Sequence, residues 1–427
     1  MADDLTAVVM AGGLGTRMKS ATPKHLHTLL GRRMVDWVID AARGAGVERI
    51  VVVASPDSAD SYDGLEVAIQ EQPLGTGDAV RAARSAIAAD AGDVLVLNGD
   101  VPALTPELVR ALVASHREAQ AAATVLAFEP ADPRSYGRIV RDGDGRLARI
   151  VEAADATADE LALTEVNSGI YAFRGDKLWP VLDRLQAHNA QGELYVTDTL
   201  GLLVGDGEVV AVHTAPDPLE VEGINTRAEL ALAAAALRNR INEAHMLAGV
   251  TIVDPETTWI DADVEIEPDT TIHQFTVLRG PIRIASGVEI GPFAYVRPRT
   301  VIGADGKIGA FVEVKASTIG ARTKVPHLSY IGDAEIGEDT NIAAGNITAN
   351  FKHEPGEPKA KTRIGSNVRT GVDNTFDAPV DIGDDAWIAP GSVITDDVPP
   401  GSLAGFAPRQ ETKKGWVYTK RGERDRD

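Results

Sequence analysis

The stretch Ile284-Ala-Ser-Gly-Val-Glu-Ile290-Gly-Pro-Phe-Ala-Tyr-Val296-Arg-Pro-Arg-Thr-Val-Ile302-Gly-Ala-Asp-Gly-Lys-Ile308-Gly-Ala-Phe-Val-Glu-Val314 puts a branched apolar residue at every sixth position. The spacing reaches back through Leu278, Ile272 and Ile266, and Gly291, Gly303 and Gly309 directly follow their branched partners. It slips by one residue after Val314 and resumes at Ile319, Val325 and Ile331, then at Ile336 and Ile342. A third run holds Ile364, Thr370, Phe376, Ile382, Ile388 and Ile394. Such a period signals a parallel β-helix: each six-residue unit makes one flat side, and its branched residue points into the core. Asn350 to Lys361 reads as a loop projecting from this solenoid.

Upstream, to about residue 225, short apolar strands alternate with amphipathic stretches. Thr6 to Met10, Ile50 to Val53, Val94 to Leu97 and Thr124 to Phe128 are expected strands. Met34 to Ala42, Asp78 to Ala89 and Pro106 to His116 are expected helices. This is an α/β pattern, whose ligands belong at the carboxyl ends of the strands. Ala228 to Leu247, without Gly or Pro, reads as a helical connector. The expected domains are therefore 1–227, a connector at 228–249, and a solenoid with its C-terminal tail at 250–427.

The first strand enters Ala11-Gly12-Gly13-Leu14-Gly15-Thr16-Arg17-Met18, closed by Pro23-Lys24. Glycines let the backbone turn tightly and bring its N–H groups against an anion, while Arg17 and Lys24 add positive charge. A polyphosphate is the implied ligand. No Gly-Lys-Ser/Thr follows, and the spacing of a dinucleotide fingerprint is absent. Asp100, in Asn98-Gly99-Asp100 directly after an apolar strand, stands where an acidic residue has a specific use.

Composition narrows the classes. The chain has 427 residues, 44% of them hydrophobic, enough for two substantial cores. With 63 acidic against 42 basic residues, its net charge of -21 argues against a nucleic-acid surface, so any phosphate site must be locally basic. No apolar run approaches membrane-spanning length, and Met1-Ala-Asp-Asp-Leu lacks the basic start of a signal peptide, so a cytoplasmic location is expected. The absence of cysteine excludes disulfides, thiolate metal sites and cysteine nucleophiles.

The glycine-rich run resembles the signature of sugar-1-phosphate nucleotidyltransferases. Gln70-Glu-Gln-Pro-Leu-Gly75-Thr76-Gly77, Tyr136-Gly137-Arg138-Ile139, Ile150-Val-Glu152, Glu165-Val-Asn167-Ser-Gly169 and Val221-Glu-Gly-Ile-Asn225 follow in family order. With the solenoid, nearly the whole chain resembles the bifunctional N-acetylglucosamine-1-phosphate uridyltransferase and glucosamine-1-phosphate N-acetyltransferase, the GlmU family. The resemblance implies a Rossmann-like (GT-A-like) nucleotidyltransferase domain followed by a left-handed β-helix that assembles as a homotrimer. The handedness comes from the resemblance, since the connection rule for parallel strands would give a right-handed coil. The solenoid is expected to be shorter at its start than in typical members.

Carried over residue by residue, the resemblance implies that Arg17 and Lys24 contact phosphate catalytically. Gly12, Gly13, Gln70, Gly75 and Thr76 hold the nucleotide of UTP, with Gln70 reading the uracil edge. Gly137, Glu152, Asn167, Thr197 and Asn225 hold the sugar, and Asp100 with Asn225 holds magnesium. In the solenoid, His327 of His327-Leu-Ser-Tyr330 matches the catalytic base, and the Ala344 N–H the oxyanion donor. Arg297, Lys315, Tyr330, Asn341 and Lys359 surround the phosphorylated sugar; Asn350, Phe351, Val372, Pro390 and Arg409 complete the acetyl-CoA surface. The residues depart from the family pattern at Asn98, Asp78, Phe351, Val372 and Pro390 and before Lys359. Two other readings stay open: a monofunctional nucleotidyltransferase with a structural or regulatory solenoid, and a non-catalytic trimeric scaffold that keeps a nucleotide pocket.

Overall fold

The computed structural model describes residues 5–13, 15–87, 92–133, 135–351, 358–406 and 412–421. The chain divides into two compact units, Met1–Leu237 and Arg238–Asp427. The division falls inside a single helix, Arg227–Leu247.

The first unit is built on a nine-stranded mixed sheet. Its strands are β1 (Leu5–Met10), β2 (Arg49–Ala54), β3 (Glu66–Ile69), β4 (Asp93–Asn98), β5 (Ala123–Phe128), β6 (Arg138–Arg141), β7 (Leu147–Val151), β8 (Val166–Arg174) and β9 (Val210–Thr214). The main order is β9-β5-β8-β4-β1-β2-β3, with β6 joined to β8 and β7 to β6. β1 runs parallel to both β2 and β4, whereas β8 is antiparallel to β4 and β5. All six residues of β1 are buried. Alternation sends Ala7 and Val9 into the layer with helix α1 (Met34–Gly44) and helix α3 (Pro106–Glu118). Val8 and Met10 enter the layer with helix α2 (Thr76–Ala82) and helix α4 (Gly175–Leu182). The helix expected over Asp78 to Ala89 is shorter than the pattern implied. It passes after Ala82 into a tighter turn at Ala83–Ala86, and residues 88–91 lie outside the described residues.

In the second unit, short parallel strands stack into three faces, and the hexapeptide residues align from coil to coil. Ile272 pairs with Ile290 and Ile290 with Ile308. The slip after Val314 shortens one coil, so Ile302 pairs with Ile319 and Ile308 with Val325. The inserted loop lengthens another, and Ile336 pairs with Ile364. Every hexapeptide residue named above is buried except Ile266, which is only partly covered in the first coil.

Left-handed backbone marks the corners. One corner uses residues that tolerate it, including Asp269, Asp305, Asp339, Asn367 and Asp385. A second places Phe275, Phe293, Phe311 and Leu328 in the same conformation on successive coils. The three phenyl rings stack at 4.9 and 5.1 Å, contacts that offset part of the backbone strain.

Candidate functional site

The pairing of β1 with β4 sets Met10 beside Asn98, and the Gly99 N–H donates to the Met10 carbonyl at 2.9 Å. The glycine-rich turn after β1 and the Asn98-Gly99-Asp100 turn after β4 therefore lie side by side at the carboxyl edge of the sheet. The Ile224 N–H donates to the Asp100 carbonyl at 2.9 Å and brings in Asn225. Gly15 has φ +57°, and a Cβ there would lie 2.5 Å from the Lys24 Cβ, so only glycine lets the turn pass over Lys24.

These turns converge on one charged cluster. The Lys24 Nζ donates to Asp100 Oδ2 at 2.5 Å and to Asn225 Oδ1 at 3.1 Å, and Arg17 Nη2 donates to the same Asn225 oxygen at 2.9 Å. Burial pushes the Asp100 carboxyl up, but Lys24 and then His25 outweigh it, holding the group below the usual carboxylate range. His25, absent from the expected site, is buried beside them. Burial and the Lys24 charge bring its pKa to about 4 against the pull of Asp100. Its only sequence signal was its place directly after Lys24.

Two cavities meet at this cluster, sharing Met10, Thr76, Asn98 and Asp100. The larger, about 430 Å³, is lined by Gly12, Gly13, Lys24, Gln70 and Gly75, residues expected on the nucleotide side. The smaller, about 180 Å³, is lined by Gly137, Glu152, Asn167, Thr197 and Asn225, the expected sugar set. Gly75 has φ +117°, and a Cβ there would sit 2.5 Å from the Leu194 carbonyl, so a side chain would collide with that wall. Thr76 Oγ1 accepts from the Val196 N–H at 3.0 Å. Thr197 Oγ1 donates to Glu152 Oε1 at 3.2 Å, yet burial, with Asp198 and Asp155 nearby, raises the Glu152 carboxyl. Asn167 donates to Tyr171 Oη at 2.8 Å and accepts from the Gly169 N–H at 2.9 Å, so it is held firmly within the wall it lines. Tyr136 is a further member: its hydroxyl accepts from the Gly223 N–H at 3.0 Å.

In the solenoid unit the expected residues fall into two groups. Arg297 pairs with Glu313 at 2.8 Å, and Lys315 with Asp333 at 3.3 Å. Asn350 donates to Asp333 Oδ2 at 2.5 Å and to Tyr330 Oη at 3.3 Å. Lys359 lies against Lys315, which pulls the Lys359 amine down, while Lys315 is held up by that contact and by Asp333. Arg297, Lys315 and Lys359 thus gather three basic side chains beside two acids, Glu313 and Asp333. Asp333 and Glu313 were missed by sequence reasoning, because their pairing depends on which coils stack. The Ala360 N–H donates to the Asn350 carbonyl at 3.0 Å, fastening the two ends of the inserted loop.

The second group runs along the phenylalanine corner. His327, Ala344, Val372 and Pro390 each precede a corner residue with positive φ, namely Leu328, Gly345, Asp373 and Gly391. The imidazole of His327 is exposed and makes no hydrogen bond among the described residues. The Ala344 N–H likewise donates to no described group. The Asn341 backbone bridges Lys324 to Arg369 between coils. Phe351 is exposed, and Arg409 lies outside the described residues.

A glycine turn, a carboxylate and two cations at the edge of such a sheet define a nucleotidyltransferase, and residues 7–197 match the MobA-like NTP transferase domain. Over its length, the chain is 45% identical to the bifunctional protein GlmU of Mycobacterium avium, covering 98% of this chain and 94% of that one. It is 45% identical to that of Mycolicibacterium gilvum (98% and 92%) and 44% to that of Mycobacterium tuberculosis (98% and 93%). The chain belongs to the GlmU family of bifunctional proteins.

Proposed function

We propose that the protein makes UDP-N-acetylglucosamine in two steps: acetyl transfer from acetyl-CoA to glucosamine-1-phosphate, then uridylyl transfer from UTP to the product. The observation that carries this reading is the Asp100–Lys24–Asn225 cluster standing where two cavities meet, one lined by Gly12, Gly13 and Gln70 and the other by Glu152, Asn167 and Thr197. In that geometry a sugar phosphate oxygen attacks the α-phosphorus of UTP and pyrophosphate leaves, without a covalent protein intermediate. Arg17 and Lys24 hold the phosphates, Gln70 meets the base, and Glu152 with Thr197 orients the sugar.

Two residues fit a hard cation. The oxygens of Asp100 and Asn225 already converge on a positive charge, the Lys24 ammonium, and Asp100 is ionised. Magnesium needs few protein oxygens when phosphates supply the rest, and when bound it neutralises charge on the leaving pyrophosphate. Asp100 and Asn225 would hold it.

For acetyl transfer, His327 accepts the proton as the substrate amine attacks the thioester carbonyl. The Ala344 N–H stabilises the oxyanion, and coenzyme A leaves as the thiol. Arg297, Lys315, Tyr330 and Lys359 take the sugar phosphate. Val372, Pro390, Asn350 and Phe351 lie towards coenzyme A, with the protein working as a cytoplasmic homotrimer. No helix among the described residues is long and apolar enough to cross a membrane.

The test is a pair of variants. His327→Ala should stop thiol release from acetyl-CoA while leaving pyrophosphate release with N-acetylglucosamine-1-phosphate intact, and Asp100→Asn should do the reverse. Unchanged thiol release in His327→Ala would remove His327 from the reaction.

A further inference from the structure

The Gln70 side chain carries one donor end and one acceptor end, and its neighbours choose which end faces the cavity. Gln70 is buried, and its Nε2 donates to the Gly75 carbonyl at 3.1 Å and to Asp78 Oδ2 at 3.1 Å. A backbone carbonyl and a carboxylate can only accept, so the amide nitrogen must face them. Its Oε1 is left on the other side, 3.1 Å from where a Cβ of Gly12 would stand and on the wall of the nucleotide-side cavity. Asp78 is itself anchored, since Arg81 Nη2 donates to its second oxygen at 2.7 Å.

We propose that Asp78 is a positioning residue for base selection: it locks the Gln70 amide so that an acceptor oxygen meets the nucleobase. The proposal rests on the reading that Gln70 faces the base. An acceptor there matches a pyrimidine that presents N3–H, as uracil and thymine do. It opposes cytosine, whose N3 is itself an acceptor. Without Asp78, one of the two acceptors that orient the amide is gone. The amide can then turn and offer Nε2, so cytosine is rejected less strongly.

The experiment compares kcat and KM for UTP and CTP, with N-acetylglucosamine-1-phosphate and magnesium, in full-length wild type, Asp78→Ala, Asp78→Asn and Gln70→Ala. Thiol release by the other unit and the thermal transition report on folding. Asp78→Ala should lower the UTP-to-CTP ratio of kcat/KM about tenfold, the worth of roughly one hydrogen bond. The change should lie in KM. Asp78→Asn keeps an acceptor oxygen and should stay near the wild-type ratio. An unchanged ratio in Asp78→Ala, or an equal loss with both nucleotides, overturns the proposal. If Gln70→Ala also leaves the ratio unchanged, the placement of Gln70 at the base is what failed. If Gln70→Ala shifts the ratio and Asp78→Ala does not, only the role of Asp78 falls.

Discussion

Replacing Lys24 by methionine leaves the Asp100 carboxylate in its enclosed place without the ammonium 2.5 Å away. Both side chains are largely covered, at 11% and 17% exposure, so water can compensate little. Breaking such a pair from one side costs about 3 kcal/mol. For a unit of this size that corresponds to a fall of about 6 to 12 °C in the melting temperature. The dependence on pH has a definite sign. In the wild type, the Asp100 pKa lies below its unfolded value, so its contribution is present above the unfolded pKa and is lost as pH falls through the folded one. In Lys24→Met, burial dominates and raises the folded pKa, so the deficit is largest at neutral pH and shrinks towards pH 4. Thermal unfolding of wild type, Lys24→Met, Asp100→Asn and the double variant, without divalent ions, measures all of this. The double variant should be more stable than Lys24→Met alone. A Lys24→Met melting temperature within a degree or two of wild type at pH 7 would refute the reasoning.

Gly75→Ala forces a methyl group to within 2.5 Å of the Leu194 carbonyl at a φ open essentially to glycine, so a cost of about 1–3 kcal/mol is expected. It should appear as a lower melting temperature and weaker UTP use, with thiol release unaffected. Glu152 has a folded pKa raised by burial, so its charge costs stability as pH rises through that value. Glu152→Gln should therefore raise the melting temperature at pH 8 and change it little at pH 4, while increasing KM for the sugar phosphate. Lys315→Met removes the ammonium that pulls the Lys359 amine down. The Lys359 pKa should move back towards the ordinary amine value, as followed by pH-dependent acylation of that lysine. KM for glucosamine-1-phosphate should rise.

The solenoid was legible because each coil buries the same position, and a repeated packing demand leaves a repeated residue type. Ile266, in the first coil, is the exception and is only partly covered. The glycine turn was legible for a related reason: Gly15 answers a local steric demand that no other residue meets. The charge pairing was not legible. Lys24 and Asp100 lie 76 positions apart, and their contact follows from the pairing of β1 with β4. The residues at the phenylalanine corner came from resemblance, and only the coil register reveals that His327, Ala344, Val372 and Pro390 hold equivalent places. Asp78 stood out as a departure from the family pattern, but its hold on Gln70 needed geometry.

The central claim is that one chain performs both transfers, and a single reaction mixture tests it. Purified protein receives glucosamine-1-phosphate, acetyl-CoA, UTP and magnesium, and free thiol and pyrophosphate are followed separately. The chain contains no cysteine, so thiol detection has no protein background. Release of both products, with pyrophosphate lagging behind thiol, is the predicted result. Pyrophosphate appearing only when N-acetylglucosamine-1-phosphate is supplied, with no thiol under any condition, would contradict the account and leave the solenoid a structural element.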